Sequence, residues 1–110
     1  MKTTDANLWG IDLGGTKIEC AVLNAAKPSE VLIRERLDTE ANQGYEHILG
    51  RVKILVDIVS SKLGQKPTHI GFATPGVLNP RTQTMKNCNT VCMNDQPMAK
   101  DLSQILGCEV

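Results

Sequence analysis

Hydrophobic positions along this 110-residue chain switch between a two-residue and a 3.6-residue period, and the switches mark its elements. Leu8–Leu13 is a mostly apolar run ended by Gly14–Gly15, which predicts a strand. Lys17–Leu23 alternates Ile18, Cys20 and Val22 against Lys17, Glu19 and Ala21, a second strand with one buried face. Glu30–Leu37 sets Val31, Ile33 and Glu35 against Leu32, Arg34 and Arg36, a third strand. Short turns at Gly14–Gly15 and Ala25–Ser29 make these three an antiparallel meander. The period then lengthens. Tyr45, Ile48, Leu49, Val52, Leu55, Val56, Val59 and Leu63 recur at three- and four-residue steps, which predicts an amphipathic helix over Gln43–Leu63. Gly64 is its stop, with Pro67 just beyond.

A buried strand is expected at His69–Ala73, closed by Thr74–Pro75–Gly76. Val77–Gln96 reads as loop, with Asn79–Pro80 as a turn signal. A second helix fits Pro97–Leu106, with Asp95 as its expected N-cap and Gly107 as its stop. Glu109–Val110 reads as the start of another strand. This order predicts one α/β domain, or part of one, over residues 1–110.

Composition narrows the function classes. Aromatic residues make up only 3%, so the core must be aliphatic. Twelve basic and twelve acidic residues cancel, which argues against a nucleic-acid footprint or a polybasic membrane patch. An anionic ligand must then be held by a local arrangement rather than by the global field. No apolar run approaches the roughly 18 residues of a membrane span, and Met1–Asn7 lacks the apolar core of a secretory signal. Cys20, Cys88, Cys92 and Cys108 form no C-x-x-C pair, so four free thiols in a reducing cytoplasm are expected, with no metal site among them.

Three segments carry candidate chemistry. Gly10–Ile11–Asp12–Leu13–Gly14–Gly15–Thr16–Lys17 places two glycines at a strand–turn–strand. They are expected to adopt positive φ and to aim N–H groups into a concavity that holds phosphate, with the Thr16 hydroxyl as a further donor. Asp12 is expected at the end of a buried strand, where its charge needs a partner such as a nucleotide-borne Mg²⁺. The dinucleotide fingerprint and the P-loop do not fit: the chain reads Gly15–Thr16–Lys17, not Gly-Lys-Ser/Thr. Gly71–Phe72–Ala73–Thr74–Pro75–Gly76 ends a strand in a stiff turn, and Gly76 permits close approach of a ligand. Lys86–Asn87–Cys88–Asn89–Thr90 and Met93–Asn94–Asp95 offer amides, which suit sugar hydroxyls. Each segment alone also fits an ordinary turn or loop.

Jointly, the order and spacing of Gly10–Lys17, Gly71–Gly76, Lys86–Asn94, Pro97, Lys100–Leu102 and Leu106–Gly107 resemble the ROK family of sugar kinases and sugar-responsive repressors. The resemblance implies a ribonuclease H-like domain of the actin-like ATPase and hexokinase type. It implies an ATP-dependent hexose kinase, with Asp12, Gly14, Gly15, Thr16 and Lys17 at the ATP phosphates and Mg²⁺. It places Gly76 and Asn89 at the sugar, with Asn87 and Asn94 near it. Where the family often reads Trp-Leu-Asn-Gly, this chain has Cys92–Met93–Asn94–Asp95. The resemblance also implies that the catalytic base follows Val110, and that the structural zinc and adenine pocket lie outside this chain. An N-terminal fragment inactive alone is therefore expected. Its substrate would be a hexose or N-acetylhexosamine, and the full-length enzyme would be a cytoplasmic homodimer. A ROK-type transcriptional regulator is the alternative, disfavoured because only nine residues precede Gly10 and leave no room for a helix-turn-helix. An actin-like ATPase without a sugar is disfavoured by the Thr74–Gly76 and Asn87–Asn89 pair.

Overall fold

The computed structural model describes residues 7–74, 76–86, 88 and 91–110. The first three strands are β1 (Leu8–Leu13), β2 (Lys17–Asn24) and β3 (Lys27–Asp38), a meander as the alternation predicts. The turn between β2 and β3 is tighter than expected, because Asn24 Oδ1 accepts the Ala26 N–H at 2.9 Å and lets both strands run closer to the tip. Helix α1 (Tyr45–Leu63) then returns the chain to β4 (Ile70–Ala73), which pairs in parallel with β1. The sheet order is β3–β2–β1–β4.

One face of this sheet is covered and the other is open. In β1, Trp9, Ile11 and Leu13 are buried while Leu8, Gly10 and Asp12 are exposed. Ile18, Cys20 and Val22 of β2 join the buried set, as expected. They meet Ile48, Leu49, Val52, Leu55, Val56 and Val59 of α1 in one aliphatic core. Fully burying each such side chain contributes about 1.5–3 kcal/mol, which makes this face the main source of stability. α1 ends at Gly64 with φ 76°, the left-handed cap that glycine tolerates best.

The stretch read as loop holds a short hairpin, β5 (Val77–Leu78) with β6 (Met85–Lys86). It is stitched by Asn79 N–H to Thr84 O and by Asp95 N–H to Met85 O. Helix α2 (Met98–Leu106) follows and ends at Gly107 with φ 68°. Asp95 does not cap it. Its own φ is 65°, its N–H is committed to β6, and Pro97 holds the cap position with no side-chain bond. Asp101 is half-buried and accepts from the Tyr45 hydroxyl at 2.8 Å, tying α2 to the start of α1. Glu109 forms a parallel bridge with His69, so the last residues do begin to extend the sheet beside β4.

Candidate functional site

Register pairs Leu13 with Ile18, and Gly14 N–H donates to the Lys17 carbonyl at 3.0 Å. Gly15 and Thr16 are left as the tip of the hairpin. A Cβ on Gly14 would lie 2.9 Å from the Lys17 carbonyl oxygen, so the strand ends can approach only because this residue is glycine. The expected positive φ is not the reason. The described glycines with positive φ are Gly44, Gly64 and Gly107, far from this tip in sequence.

Asp12 is also placed differently from expectation. It alternates with the residues that α1 covers, so it sits exposed on the open face. Its charge carries no burial cost there. Glu19 lies opposite it in register and is half-buried, paired with Arg36 at 2.9 Å and Arg34 at 3.5 Å. Lys17 pairs with Asp38 across β2 and β3, and that hydrogen bond and charge hold the Asp38 carboxyl below its usual range.

Below the tip lies a residue the sequence did not single out. Thr39 is fully buried. Its N–H donates to the Thr16 carbonyl at 2.8 Å and its hydroxyl to the Gly14 carbonyl at 2.7 Å. Nothing in the local pattern marks a lone threonine after a strand. Only the pairing of β3 with β2 brings it under the turn.

Parallel pairing sets Asp12 beside Ala73, so the glycine tip and the loop after β4 emerge at the same end of the sheet. There Thr74 donates its hydroxyl to the Gly76 carbonyl at 2.9 Å. Gly76 is crowded by the chain itself: a Cβ would stand 2.5 Å from both the Lys86 carbonyl oxygen and Cys88 Sγ. The chain's own packing is thus already enough to require glycine there. Asn94, expected near the sugar, clamps the backbone of Cys88 with two hydrogen bonds. Asn87 and Asn89, the amide candidates for sugar binding, lie outside the described residues.

The donor set fits a cation carried by a nucleotide. Asp12 offers a hard carboxylate at an open strand end beside a backbone turn. Among the described residues no group of three or more His, Cys, Asp or Glu could enclose a metal ion.

This arrangement meets its relatives at the level of the family. The ROK family pattern matches residues 8–110. The chain belongs to the ROK family. An N-acetyl-D-glucosamine kinase of Haemophilus influenzae (strain 86-028NP) is 37% identical over 102 residues, 93% of this chain and 32% of that protein. A ROK hexokinase from Thermus thermophilus superposes with a TM-score of 0.77 at 25% identity, covering 94% of this chain and 33% of that one. A ROK family glucokinase from Streptomyces griseus, solved with glucose and AMPPNP, superposes at 0.79 with 21% identity over 96% of this chain and 32% of that one. These likenesses establish the ROK hexokinase fold, of actin-like ATPase type, and this chain spans about a third of the length of those relatives. Among the described residues, no helix of this ROK chain is long and apolar enough to cross a membrane.

Proposed function

We propose that this ROK chain supplies the ATP-phosphate turn and part of the sugar pocket of an ATP-dependent hexose or N-acetylhexosamine kinase. The observation that carries this reading is the convergence, at one end of the sheet, of the Gly14–Gly15 tip, the Asp12 carboxylate and the Thr74–Gly76 loop. The family match and the kinase relative point the same way.

In this reading the tip, with the Thr16 hydroxyl and Lys17, faces the ATP phosphates, and Asp12 orients the water shell of the accompanying Mg²⁺. When bound, Mg²⁺ would supply positive charge to offset that of the phosphates. Gly76, Asn87 and Asn89 border the sugar, and Asn94 holds their loop through Cys88. The family resemblance puts the base that takes the sugar proton, the structural zinc and the adenine pocket outside this chain. Asp101 is a poor substitute base, since it already accepts from Tyr45. The chain by itself is therefore inactive, and the complete enzyme is a cytoplasmic homodimer that binds neither nucleic acid nor membrane. The regulator alternative is not favoured, because the curated relatives of this chain carry kinase names.

The test is a hybrid in which residues 8–110 replace the matching third of the Haemophilus influenzae relative. The hybrid should phosphorylate N-acetyl-D-glucosamine with ATP, and Asp12→Asn should lower kcat by more than about tenfold with little change in sugar KM. A folded hybrid that binds the sugar yet shows the same turnover with and without the Asp12 carboxylate would overturn the assignment.

A further inference from the structure

Thr39 is the buried polar residue of the described core, and a polar group without exposure must find partners. Both of its partners are carbonyls of the glycine turn, 25 and 23 residues away in sequence. The Gly14 carbonyl takes the Thr39 hydroxyl and the Thr16 carbonyl takes the Thr39 N–H, at 2.7 and 2.8 Å. No peptide bond among the described residues is cis. In a trans peptide the carbonyl and the N–H of the next residue point to opposite sides. Drawing the Gly14 carbonyl inward therefore turns the Gly15 N–H outward, and drawing the Thr16 carbonyl inward does the same for the Lys17 N–H. Two donors then leave the tip on the side away from Thr39.

Thr39 is itself held from both sides. Before it, the Asp38 carboxylate pairs with Lys17 and the Asp38 carbonyl accepts from Arg51 Nε at 3.0 Å. After it, Glu40 takes a left-handed φ of 55° and pairs with His47 at 2.6 Å and Arg51 at 3.5 Å. A non-glycine residue keeps such a φ only where its surroundings over-determine it. Three consecutive residues are thus anchored, the middle one with both its donors spent on the turn.

We propose that Thr39 is a positioning residue for phosphate: it sets the outward aim of the Gly15 and Lys17 N–H groups. This rests on reading the tip as the site of the ATP phosphates. The hydroxyl does not touch the nucleotide. It holds the peptide planes that do, so less of the turn's freedom has to be lost on binding.

The experiment compares wild type, Thr39→Val and Thr39→Ser in the hybrid enzyme described above, by amide hydrogen exchange and by titration with MgATP followed through the Gly14–Lys17 amide signals. Valine keeps the shape and removes the hydroxyl, while serine keeps the hydroxyl. In Thr39→Val the Gly15 and Lys17 amides should exchange faster, with the α1 amides of Val52–Val56 unchanged. Its MgATP dissociation constant should rise roughly five- to tenfold, as expected for one lost hydrogen bond. Thr39→Ser should stay within about twofold of wild type in both. Should valine unfold the hybrid, Thr39→Ala against Thr39→Ser carries the same comparison. Valine or alanine matching wild type in exchange and affinity would overturn the role of Thr39, as would serine failing to rescue. A wild-type hybrid whose tip amides do not respond to MgATP would instead overturn the phosphate reading, while the exchange data still report on Thr39.

Discussion

Asn94 grips both backbone polar atoms of Cys88: its Oδ1 accepts the Cys88 N–H at 2.8 Å, and its Nδ2 donates to the Cys88 carbonyl at 3.3 Å. The backbone of a loop is thereby paired as a strand would pair it, by one side chain six residues on. Replacing Asn94 by Asp keeps the acceptor and turns the donor into a second oxygen facing a carbonyl. The expected cost is about 1–3 kcal/mol, the range for leaving a half-buried partner unsatisfied. Chemical denaturation of the chain measures it, and a variant as stable as wild type would remove the clamp from the account.

Gly76 depends on the same loop. Its missing Cβ makes room for the Lys86 carbonyl and for Cys88. Gly76→Ala should destabilise by more than about 1 kcal/mol, because the clash involves backbone that cannot swing aside. Gly14→Ala meets the Lys17 carbonyl at 2.9 Å and should loosen the turn as well. Gly10, with nothing within 4 Å of a built Cβ, is the control, and Gly10→Ala should be nearly neutral in the same melts.

Leu55 is fully buried between α1 and the sheet. Leu55→Ala should lower stability by about 2–5 kcal/mol, the transfer loss plus the cavity left behind. Ile54, its exposed neighbour, should tolerate alanine at well under half that cost. Equal effects at the two positions would contradict the helix phase.

Alkaline pH should weaken the fold. Burial pushes the Cys20 thiol up from its usual 9.0 to about 11. Between those values the unfolded chain gives up this proton and the folded chain keeps it, so stability falls as pH rises. Tyr45, held up by burial and then by its hydrogen bond to Asp101, extends the decline to higher pH. Unfolding midpoints from pH 8 to 11 should drop for wild type and drop less steeply for Cys20→Ala. An identical slope in that variant would assign the decline elsewhere.

The purified 110-residue chain should release no ADP when supplied with MgATP and a panel of hexoses. Closure over a nucleotide requires a second lobe to exclude water, and this chain spans about a third of its relatives. A coupled assay reads this directly, and sugar-dependent ADP release would place the base within these residues.

Period alone determined β1 to β4, α1 and α2 and the covered faces of β2 and α1, but not the β5–β6 hairpin. The alternation of Ile18, Cys20 and Val22 marked the covered face of β2, and the three- and four-residue spacing of Ile48 to Val59 marked the inner face of α1. Gly64 and Gly107 marked the helix ends because a left-handed residue there is most easily glycine. Such signals are local, and side-chain period and backbone freedom act within a few residues. What the tertiary structure decided is non-local. Whether Asp12 is buried depends on how many faces of the sheet are covered, and α1 covers one. The failure of Asp95 as a cap follows from its N–H being taken by Met85, a partner ten residues back. Gly14 read as a phosphate-turn glycine and Gly76 as a ligand-approach glycine, and at each a Cβ would also meet a carbonyl that only strand or loop pairing delivers. Thr39 left no mark in the sequence, because a single buried hydroxyl has no period. Its meaning comes from the register of β3 on β2, which carries it beneath a turn more than twenty residues away.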